Sequence, residues 1–156
     1  MKTIFRFLPN FKLTYLIVGC SDMLLSGSLF MRGLMPSLAE FHVPPNLLAS
    51  PHYYDAMLWV YVHLFVLGSV IACVGLSADS VLPLLRKRLT VVLTAAHVYY
   101  TYLDFRSSDS AFGNGLYQGT ASVVPGIITM VITLLFLQLA IRLYISGEAI
   151  SEQTVS

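Results

Sequence analysis

Four apolar runs, at about residues 13–35, 55–78, 88–105 and 120–144, divide the chain. Each comes close to the roughly 20 residues that cross a hydrocarbon core of about 30 Å. The third run carries a second pattern inside the first: Thr90, Thr94, His97, Thr101 and Asp104 recur at steps of four and three, which lays them along one helix face. The first run repeats this with Tyr15, Gly19, Asp22, Ser26 and Gly33, and the fourth with Ser122, Gly126, Thr129, Thr133 and Ala140. Small residues let helix backbones approach and hydroxyls bond across helices, so such stripes turn inward in a bundle. The pattern predicts an all-α, integral membrane four-helix bundle: one domain, residues 1–156, with four transmembrane spans.

The second run has two competing faces. Tyr54, Tyr61, Gly68, Ala72, Gly75 and Asp79 form a small and polar stripe, while Asp55, Trp59 and His63 lie on a roughly opposite side. Both cannot face one bundle axis. If the small stripe is inward, His63 points to lipid or another subunit; if His63 is inward, the Gly68-Ala72-Gly75 face is free for a homo-oligomer or a partner in a membrane complex.

Between the runs, residues 33–54 hold four prolines and mixed polarity, which predicts an interfacial loop with a short amphipathic piece rather than a span. The stretch 105–119 reads as the other outer loop, with Asn114-Gly115 suited to a tight turn. Ile17-Val18-Gly19-Cys20 after a basic start resembles a lipoprotein cleavage box, but the apolar run continues past the cysteine where a lipoprotein would turn polar.

Composition strengthens the membrane assignment. The 156 residues are 56% hydrophobic and 11% charged, with a mean hydropathy of +0.75, against roughly 25% charged residues in ordinary soluble domains. A net charge of +1 leaves no basic field for a nucleic-acid partner. Lys2, Arg6, Lys12, Arg86, Lys87, Arg88 and Arg142 fall on one side of the four-span topology, and Arg32 and Arg106 on the other. By the positive-inside rule both termini are then cytoplasmic, in a multi-pass protein of a bacterial inner membrane.

Candidate chemistry follows from depth. Asp22 lies about 15 Å inward from Arg32, and His97 about 14 Å inward from Arg106, so the two are level. His63 lies about 12 Å below Asp55, within a turn of the same level. An isolated carboxylate in hydrocarbon costs about 2.5–3.5 kcal/mol on insertion scales, so Asp22 needs a partner, and His97 is the candidate. Such a pair would act as an acid–base centre, with Tyr100 one turn above His97. Arg32, Asp55, Trp59, His63, Thr94, Thr101, Asp104 and Arg106 complete the predicted site, although helix-end charges and an aromatic belt also arise from anchoring alone.

The leading expectation is therefore an outward-opening polar cavity that binds, and by acid–base chemistry transforms, a lipophilic small molecule of the quinone, sterol or isoprenoid class. A second reading makes His63 and His97 the axial ligands of a b-type haem. A third is a non-enzymatic subunit of a larger membrane complex. No metal site is predicted, because His42 and His52 lack a ligand spacing. Cys20 and Cys73 lie at different depths and should not pair, and no phosphate loop or nucleophile elbow occurs.

Overall fold

A computed structural model describes residues 9–40 and 42–145. Lys2 and Arg6, counted above among the inner charges, and the polar tail after Ile145 lie outside the described residues. Those described form six α-helices and no strand: α1 (Phe11–Arg32), α2 (Leu34–Glu40), α3 (Pro45–Leu48), α4 (Pro51–Leu76), α5 (Pro83–Ser107) and α6 (Val124–Ile145). Single 3-10 turns at Ala78–Ser80 and Thr120–Val123 lead into α5 and α6. Three stretches, Phe11–Arg32, Pro51–Leu76 and Thr120–Ile145, are long and apolar enough to cross a bilayer. α5 is as long, with 25 residues, but Arg86, Lys87 and Arg88 in its first turns dilute its apolar character.

Local chemistry sets the boundaries. Asn10 caps α1 by accepting from the Leu13 N–H at 2.9 Å, and Gly33 ends it with φ +87°, a conformation that glycine adopts without a Cβ penalty. The prolines between the first two runs start helices rather than forbid them. Pro45 and Pro51 occupy the first turns of α3 and α4, where the missing N–H costs nothing. The predicted loop is thus two short helices, and α4 begins four residues before the expected Asp55. Pro83 likewise opens α5 before the expected Arg88.

The helices pack as two close antiparallel pairs, α1 with α4 and α5 with α6. In the first, the small face of α4 is used up. A Cβ on Gly19 would strike the Ala72 N and come within 2.6 Å of the Gly68 carbonyl oxygen, and one on Gly75 would meet Leu16 and Tyr15 at 3.0–3.1 Å. The Gly68-Ala72-Gly75 face therefore seats α1 of the same chain and is not free for a partner. In the second pair, Thr101 meets Thr133 and Phe105 packs on Gly126.

Tyr15 joins the pairs, stacking edge-on with Phe136 and hydrogen-bonding Thr90. The half of the bundle that holds the start of α1 is filled by a cluster that includes Phe11, Tyr15, Val18, Ile71, Phe136 and Leu139. At the other end, Leu34, Leu38 and Val43 form a smaller cluster with Tyr53, Met57, Tyr61 and Tyr117. Apolar side chains such as Leu24, Val66, Val92 and Leu134 point outward from all four long helices. That arrangement suits lipid contact.

Candidate functional site

Asp22 and His97 lie at one level. α1 and α5 are both antiparallel to α6, hence parallel to each other, and Tyr15 meets Thr90 across them. Seven residues farther along each helix, about 10 Å on, come Asp22 and His97. Both are buried, 4% and 2% exposed, yet no hydrogen bond joins them. Asp22 packs over the backbone of Gly68 on α4, and its Oδ2 has no hydrogen-bond partner. His97 packs against Phe136 of α6, ring centroids 5.0 Å apart, with Tyr100 edge-on at 5.6 Å.

His97 Nδ1 lies 2.8 Å from the Leu93 carbonyl. A carbonyl only accepts, so Nδ1 carries the hydrogen and a neutral ring keeps Nε2 as its acceptor. Thr94 donates to the Thr90 carbonyl, and the Thr101 and Thr133 hydroxyls share a bond of 2.9 Å. The first bond stays within α5, and the second holds the α5–α6 seam.

One turn farther out, the polar stripe of α5 reaches a cavity of about 420 Å³. Asp104 and Arg106 line it from α5, Met57, Val60 and Tyr61 from α4, and Tyr117 from the loop between α5 and α6. The Asp104 carboxylate lies beside the Thr129 hydroxyl of α6, and Tyr117 hydrogen-bonds Tyr53 at 3.3 Å.

Backbone bonds hold the loop: Asn114 N–H donates to the Arg106 carbonyl at 2.7 Å, Tyr117 N–H to Ser107 at 2.9 Å and Gly115 N–H to Ser108 at 3.1 Å. Asp109 ties its far end, donating through its N–H to Ser122 Oγ and accepting from Gly119 N–H. Gly113 is required where the chain passes the Ser108 carbonyl, since a Cβ there would overlap that oxygen.

Of the predicted site residues, the structure brings Asp104 and Arg106 to this cavity and leaves Asp22, His97 and Thr101 deeper in the bundle. Tyr100, also beside His97, is exposed on the bundle surface. Arg32 does not reach the cavity mouth, because it pairs with Glu40 of α2. Asp55, Trp59 and His63 are exposed on α4, Trp59 and His63 stacked 5.1 Å apart. Tyr61 and Tyr117 were missed as site residues. Tyr61 stood on the small stripe of the second run, which was a usable signal, whereas Tyr117 is placed by loop hydrogen bonds that leave no periodicity.

The haem reading fails its geometric test. His63 is nine residues from Ala72, about half a turn around α4 from the face that packs on α1, and its Nδ1 donates to the Trp59 carbonyl at 2.7 Å. His97 is enclosed between α5 and α6, so the two imidazoles do not converge on a common space. Cys20 and Cys73 are both free.

Three helices able to span a bilayer, with apolar side chains turned outward, make the chain an all-helical integral membrane protein. No family model, curated protein or solved structure matches it.

Proposed function

We propose that the chain is a four-span bundle of a bacterial inner membrane, α1, α4, α5 and α6 crossing and both termini cytoplasmic, that binds a lipophilic small molecule of the quinone, sterol or isoprenoid class from the outer side. What supports this reading is the cavity at the outer ends of α4 and α5. Its volume of about 420 Å³ suits a small-molecule site, for which roughly 300–1,000 Å³ is usual. Leu38, Met57, Val60, Leu103 and Pro125 give it apolar walls, and Asp104, Tyr61 and Tyr117 place a carboxylate and two phenols among them. An apolar body with one carbonyl or hydroxyl fits that lining, and the same groups serve proton transfer to and from such a molecule. Asp104, rather than an Asp22–His97 pair, is then the acid–base residue.

The test is retention of a short-chain quinone, a sterol and farnesol by the purified protein in mild detergent, measured by native mass spectrometry. One of the three should be retained, and Asp104→Asn and Tyr61→Phe should each weaken retention about tenfold, the loss of a charged or well-placed hydrogen bond. Equal retention by both folded variants and the unsubstituted protein, or none of the three probes held, would overturn the reading.

A further inference from the structure

A second cavity, of about 190 Å³, lies at the opposite end of the bundle, where the starts of α1 and α5 meet the end of α6. Among the described residues, Lys12, Arg86 and Arg142 line it together with one carboxylate, that of Asp79. That carboxylate is almost fully exposed and only 4.0 Å from Lys12 Nζ, so water screens it and it neutralises little. Arg86 is held in place, its Nε donating to the Val81 carbonyl at 2.9 Å and its Nη2 to the Ala78 carbonyl at 2.8 Å, with the guanidinium over the Phe11 ring. Those bonds leave other guanidinium N–H groups unspent, on a side chain that stays where the fold puts it. α1 and α5 also begin here, and the positive ends of their dipoles add to the charge.

From this geometry we infer that the inner cavity is a binding site for the phosphate of an anionic phospholipid headgroup. The cavity sits at the bundle's basic end, which the proposed topology puts in the cytoplasmic headgroup layer, and basic pockets between membrane helices bind such headgroups. The neighbouring apolar side chains favour a lipid over a free anion. Leu82, Leu84 and Leu85 at the start of α5 are all exposed and offer a surface to acyl chains beside the phosphate site. A rigid guanidinium and a flexible ammonium divide the work: Arg86 supplies directed donors and Lys12 a point charge.

The experiment delipidates the purified full chain, then mixes it with nanodiscs of phosphatidylcholine alone or of phosphatidylcholine with phosphatidylglycerol, and counts retained lipids by native mass spectrometry. Phosphatidylglycerol should be retained selectively, and Lys12→Gln should lower its retention about fivefold, the loss expected for one charge at the membrane surface. Arg86→Gln also removes the corner bonds, so Lys12→Gln, at an exposed position, carries the test if Arg86→Gln does not fold. Glycerol phosphate displacing the lipid at equal concentration would show a free-anion site and overturn the lipid assignment. Equal retention of both lipids, or of phosphatidylglycerol by Lys12→Gln and the unsubstituted chain, would overturn the site itself.

Discussion

The Tyr15 hydroxyl of α1 and the Thr90 hydroxyl of α5 share a buried hydrogen bond of 3.2 Å. It links two helices whose main partners differ, α4 for α1 and α6 for α5. The Tyr15 ring also fills the inner core, wholly buried against Phe11 and Phe136. The hydroxyl and the ring therefore separate in mutagenesis. Tyr15→Phe should cost about 0.5–1.5 kcal/mol, the net worth of one hydrogen bond, and Tyr15→Ala about 3–5 kcal/mol through the cavity left behind. Equilibrium unfolding in mixed micelles measures both: no loss in Tyr15→Phe would show that the bond contributes nothing, and equal losses in the two variants would show that the ring contributes nothing beyond the bond.

The α1–α4 contact makes a sharper claim about glycine. A Cβ at Gly19 would meet backbone atoms, and one at Gly68 the Asp22 Cβ and the backbone of Gly19 and Met23, none of which can move aside as the end of a side chain can, while a Cβ at Gly27 would meet only the Phe65 ring, at 3.8 Å. Gly19→Ala and Gly68→Ala should each destabilise by about 1–3 kcal/mol, the cost of overpacking a fitted contact, and Gly27→Ala should be neutral or slightly stabilising. A Gly27 variant as damaging as the other two would mean that the helices pack in another register.

Asp22 presents a buried carboxylate whose Oδ2 has no partner. Removing a buried polar group that makes no bond relieves its desolvation, so replacement by an apolar residue of similar size is neutral or favourable for folding. Asp22→Leu should unfold no more easily than the unsubstituted chain, and Asp22→Asn should lie close to it. A loss above about 2 kcal/mol in Asp22→Leu would point to a hidden partner, because truncating one member of a satisfied buried pair costs that much or more.

What was legible beforehand divides along physical lines. The apolar runs and small stripes came from helical periodicity, and Gly19 against Gly68 and Ala72 bears the stripes out, because close backbone approach leaves a compositional trace. The level of Asp22 and His97 was also readable, since helix rise is constant. Their facing was not: rise gives height, while azimuth depends on which helices pair, and Asp22 turned to α4 as His97 turned to α6. The prolines misled because Pro45, Pro51 and Pro83 act at helix starts as readily as they break helices. The outer cavity was hidden for a different reason. Asn114 and Tyr117 reach it from a loop held by backbone hydrogen bonds, and such bonds have no residue signature.

The fourth crossing rests on α5, the long helix with the weakest apolar composition, and topology decides it. If α5 crosses, the turn before it and the loop after it lie on opposite sides of the membrane; if it does not, they lie on the same side. Ser80 and Ala111 are exposed in those two segments, so a cysteine at either position reports its side without disturbing a packed contact. In a background with Cys20→Ala and Cys73→Ala, Ala111→Cys should react with a membrane-impermeant maleimide in intact cells. Ser80→Cys should react only after the membrane is opened. The expected ordering follows from the cluster Arg86-Lys87-Arg88 beside Ser80, which the positive-inside rule keeps cytoplasmic. The same labelling pattern at both cysteines, most simply neither reacting until the membrane is opened, would leave α5 on one face of the bilayer, reduce the crossings to three and put the two termini on opposite sides.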